Sequence, residues 1–100
     1  MNFTPALFAA IADELTSIVA SRGKVSADYA REFAVYSTGF ATSLLDSPDP
    51  NGLERFKAQA RAVVETIKEI NEQAIPDVLD AVLDAIRLIL VVVRAATIKL

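Results

Sequence analysis

The sequence predicts an all-α protein of four helices, at about 4–22, 26–45, 52–73 and 76–98. They form a four-helix bundle or an open four-helix array completed by association, in a single helical domain spanning 1–100. Three observations predict this. Apolar residues recur at alternating steps of three and four through the last quarter of the chain and again through the segment before it. Capping residues, the four prolines and two of the three glycines fall between the periodic segments or at their starts. Hydrophobic residues make up 53% of the 100, which excludes a disordered chain.

The first helix opens at Thr4-Pro5, where a threonine caps free amides and a proline sits in the first turn, its missing N–H costing nothing there. Phe8, Ile11, Leu15, Ile18 and Val19 share its core face, and Gly23 is the expected left-handed residue that ends it. The second helix is capped by Ser26, with Asp28 in its first turn. Tyr29, Phe33, Tyr36, Phe40 and Leu44 line one face, a core stripe that also suits a ligand or peptide groove. Ser37, Thr38 and Gly39 form a small-residue patch for close helix approach or a bend.

Asp46-Ser47-Pro48-Asp49-Pro50-Asn51-Gly52 is the clear loop, and its spacing lacks the calcium-loop pattern with a terminal glutamate. Leu53, Phe56, Ala60, Val63, Ile67, Ile70 and Ala74 then predict a third helix running to residue 73. Its polar face holds Lys57, Arg61 and Lys68, interleaved with Glu54, Glu65, Glu69 and Glu72. That mixture predicts a solvated, ion-paired surface rather than a basic binding patch. Pro76 interrupts the pattern, either as a kink in one long helix or, the favoured reading, after a tight turn and in the first turn of a new helix.

The last helix is the most informative. Ile75, Leu79, Val82, Ile86, Ile89, Val93, Ala96 and Leu100 form an unbroken stripe, flanked by Val78, Leu83, Ala85, Leu90 and Val92. At ~100° per residue the apolar arc spans roughly 220°, about twice what a helix resting on one core requires. Asp77, Asp80 and Asp84 come early and Arg87, Arg94 and Lys99 late, the order that complements the helix dipole. Leu88 to Val93 carries no charge and is strongly β-prone, but the heptad continues through it and the segment is read as helix. Either this helix lies centrally among several others, or something outside the chain covers part of it. Tolerance of Val91→Asp would distinguish a free outer face from a covered one.

Composition narrows the function. The net charge of −3 and acidic pI of about 4.8 disfavour nucleic acid as a partner. With neither histidine nor cysteine, the chain lacks the usual imidazole base, the commonest transition-metal ligand and any thiolate. No phosphate loop or nucleophile elbow is present, so no enzyme, cofactor or metal is expected. Residues Met1–Pro5 carry no basic signal-peptide region, and Asp13 and Glu14 come early, so a cytoplasmic place, or one within a larger assembly, is expected.

The sequence therefore predicts a non-catalytic, coiled-coil-like structural or interaction subunit that self-associates or docks into a larger assembly, a viral particle among the candidates. Ile86, Ile89, Leu90, Val92 and Val93 are its expected association residues. The alternatives are a membrane-interacting protein acting through residues 75–100, and a small-ligand or peptide binder using the Tyr29–Phe40 stripe.

Overall fold

The computed structural model describes the backbone of residues 5–98 and side chains as far as Val93. The cap expected at Thr4, the end-of-helix residues Lys99 and Leu100, and the side chains of Arg94 and Ala96 lie outside this description. Among the described residues every regular element is helical: α1 (Pro5–Gly23), α2 (Ala27–Asp46), α3 (Gly52–Val64) and α4 (Ile75–Ile98), with one 3₁₀ turn at Glu72–Ala74. The order and number of helices match the sequence reading.

Helices α1 and α2 form an antiparallel hairpin. The Val25 N–H reaches back to the Ala20 carbonyl at 3.2 Å across a left-handed residue, a helix-ending motif. That residue is Lys24, at φ 55°, and Gly23 itself is helical and buried. The expected left-handed glycine is thus corrected by one position. Ser26 caps α2 as expected, its hydroxyl accepting from the Tyr29 N–H at 3.4 Å. The small-residue patch is a contact, not a bend: Ser37 and Thr38 are fully buried in an uninterrupted helix. Their hydroxyls donate to the Phe33 and Ala34 carbonyls, each at 2.8 Å, so no polar side-chain atom is orphaned there.

In the loop before α3, the Asp49 carboxylate accepts the Asn51 N–H at 2.9 Å and pairs with Arg55. Helix α3 then stops at Val64, not at residue 73. Val63, Val64, Thr66 and Ile67 are β-branched and weak helix formers. The Thr66 hydroxyl donates to the Val63 carbonyl at 2.6 Å, competing with the helical ladder. Tight turns follow, closing through Ile67 N–H to Val64 O at 3.1 Å and a left-handed Glu69 at φ 69°. This irregular segment still buries Ile67 and brings Ile70 against Gly23, so tertiary packing wins over the heptad.

Asn71 caps the 3₁₀ turn, accepting the Gln73 N–H at 2.9 Å, and the chain passes directly into α4. Pro76 occupies the first turn of α4, where it loses no hydrogen bond. It follows a turn and does not kink one long helix.

Helix α4 contacts α1, α2 and α3, which explains most of its wide apolar arc. Ile75, Val78, Leu79, Val82, Leu83, Ile86 and Leu90 are buried with Leu15, Val19, Phe33 and Phe56 in one core. Ion pairs fix the register at its rim. Arg22 meets Asp77 at 3.6 Å, so α1 runs antiparallel to α4, and Lys57 meets Asp80 at 3.6 Å, placing α3 alongside the first half of α4.

Candidate interaction surface

Because α1 and α4 run antiparallel, the first turns of α1 lie beside the last third of α4. Helix α3, with 13 residues against 24, covers about 20 Å of an α4 some 36 Å long. The result is an uncovered apolar face. Leu88, Val91 and Val92 are 64%, 65% and 58% exposed, and Leu7 across from them is 38% exposed. Between the helices lies an open groove of about 290 Å³ lined by Leu7, Ile11, Leu88, Ile89, Val92 and Val93, all aliphatic.

The five association residues expected from sequence divide here. Val92 is exposed, and Ile89 and Val93 are half-buried in the groove wall. Ile86 and Leu90 are corrected: they point into the chain's own core and present nothing to a partner. The two most exposed residues of the face, Leu88 and Val91, are not among the five because they fall off the main stripe. Their signal is present in the sequence, as apolar residues at positions where a helix on one core should be polar.

The other expected surfaces are partly engaged within the chain, with Tyr29, Tyr36 and Phe40 half-buried. The aromatic stripe of α2 packs on Phe56 of α3, with ring centroids 6.4 Å from Phe33, 6.1 Å from Tyr36 and 5.1 Å from Phe40. Tyr29 lies under the Lys68 ammonium, 6.0 Å from its ring centre. Of the basic residues of α3, Arg55 pairs with Asp49, Lys57 with Asp80 at 3.6 Å and Arg61 with Glu65 at 3.3 Å.

A second concavity of about 370 Å³ between α1 and α4 contains Arg22 and Asp84, each already in an ion pair. Among the described residues no three potential metal ligands converge. No described helix is long and apolar enough to cross a membrane. Comparisons with protein-family models, with curated proteins and with solved structures return no match for this chain.

Proposed function

We propose that this chain is a non-catalytic helical subunit that works by burying the apolar face of α4 against another protein chain. The observation that carries the reading is the adjacency of Leu88, Val91 and Val92, each more than half exposed, along the edge of an all-aliphatic groove. Together these three side chains expose on the order of 300 Å² of apolar surface, the size of the largest apolar patch on a typical monomer, which is often functional. At about 25 cal/mol per Å², covering them returns roughly 7 kcal/mol per copy. Association itself costs about 4–15 kcal/mol, so the energetics favour a reversible assembly in which at least two such faces combine.

The test is the solution mass by light scattering over a hundredfold concentration range, for the wild type and for Val91→Asp. Val91 is exposed, so the substitution is expected to change monomer stability by no more than about 1 kcal/mol. The expected result is a wild-type mass above 10.8 kDa that falls to the monomer value in the variant. An assembly that Val91→Asp leaves intact would remove this face from the function.

A further inference from the structure

The uncovered face of α4 has a register of its own. Asp77, Ala81, Asp84, Leu88 and Val91 recur at alternating steps of four and three, a second seam beside the buried one. The spacing continues in sequence through Ala95 and Ile98. The first half of the seam is polar and engaged within the chain, Asp77 with Arg22 and Asp84 with Arg87, both at 3.6 Å. At Leu88 and Val91 the seam is apolar and open. Such spacing presents the knobs of a coiled-coil contact to a second helix, which no other described helix of this chain supplies at Leu88 and Val91.

Building on the interaction reading above, we infer that the occupant is a second copy of this chain, its α4 packed antiparallel against the first about a twofold axis near Val91. Symmetry is the first argument. A twofold contact requires one patch to be complementary to itself. Here the projecting Leu88, Val91 and Val92 stand beside a groove that aliphatic side chains of this size can enter.

Area is the second. A standard interface buries about 800 Å² per partner, rather more than half of it apolar. The exposed face, with Leu7, Ile89 and Val93 at its edge, supplies an apolar share of that order.

The aspartates favour one direction. Parallel, in-register pairing would set Asp77 against Asp77 and Asp84 against Asp84. An antiparallel pair centred on Val91 sets each Arg87 level with Ala95, beside Arg94, of the other copy, but it separates the two Asp84 residues by roughly 21 Å and the two Arg87 residues by roughly 12 Å along the axis. Both spacings exceed the physiological screening length of about 8 Å.

The chain has no cysteine, so single introduced cysteines report the contact without background. Full-length Val91→Cys and Asp84→Cys, each confirmed folded by circular dichroism, are oxidised at concentrations where the wild-type mass is measured in parallel. At the axis, the two copies of position 91 come within the ~7 Å Cα separation a disulfide needs, whereas the two copies of position 84 do not. Val91→Cys is therefore expected to form covalent dimer at least tenfold faster than Asp84→Cys. Equal rates with a dimeric wild type would overturn the antiparallel arrangement while leaving the face as the interface. A dimer linked at neither position and unaffected by Val91→Asp would overturn both the inference and the wider reading. A wild type that stays monomeric but binds phosphatidylglycerol vesicles, and loses that binding with Val91→Asp, would replace the second copy with a lipid surface.

Discussion

Lys24 holds the left-handed conformation that ends α1, while the glycine before it stays helical. Gly23 is closely packed: a Cβ there would stand 3.4 Å from both Ile70 Cδ1 and Val78 Cγ2, in van der Waals contact with side chains that reach it from the connector and α4. A non-glycine residue in the left-handed region is disfavoured by about 1 kcal/mol. Lys24→Gly should therefore raise stability, by somewhat less than that because glycine also loosens the unfolded chain. Gly39 gives the complementary case. It lies inside α2 with open space where a Cβ would go, so Gly39→Ala should add about 0.5–1 kcal/mol through helix propensity. The same change at Gly52 drives a methyl into Leu44 and should lower stability. Thermal melts of the three variants check all these signs, each kcal/mol moving the midpoint by about 4–8 °C.

Among the helices and their connections, the sequence discloses what periodicity and capping encode and conceals what depends on contact between distant segments. Ser26, Pro76 and the 46–52 loop are legible because each acts on its neighbours. The end of α3 is not. Its heptad continues through Ile67 and Ile70, but Thr66 back-bonding and the pull of the Gly23 niche unwind the helix while keeping Ile67 in the core. In the sequence Phe56 is one member of an apolar stripe, and only the packing shows it as the ring on which Phe33, Tyr36 and Phe40 converge. Phe56→Ala should then cost about 3–5 kcal/mol, while Phe56→Leu, which keeps most of the volume, should cost clearly less. Chemical denaturation of both variants measures the difference. Similar losses would mean that the ring stack, rather than side-chain volume, dominates at this site.

For the whole molecule, the same question of coverage returns as a question of surface. The radius of gyration of 13.3 Å is that of an ordinary compact domain of 100 residues, about 13 Å, and the least extent of 15 Å accommodates two helix layers about 10 Å apart. The short α3 leaves the long α4 uncovered at the end that it does not reach. If copies associate through that face, folding and assembly are linked, and stability must depend on concentration. Raising the protein hundredfold, above the dissociation constant of the pair, stabilises the folded dimer by about 2.7 kcal/mol through mass action. For two chains of this length that corresponds to a rise in melting temperature of roughly 6 °C. Val91→Asp should melt at a temperature independent of concentration, at or just below the dilute wild-type value. A wild-type midpoint that does not move across the same range would show that the four helices are stable with this face in water, and that self-association contributes nothing to folding.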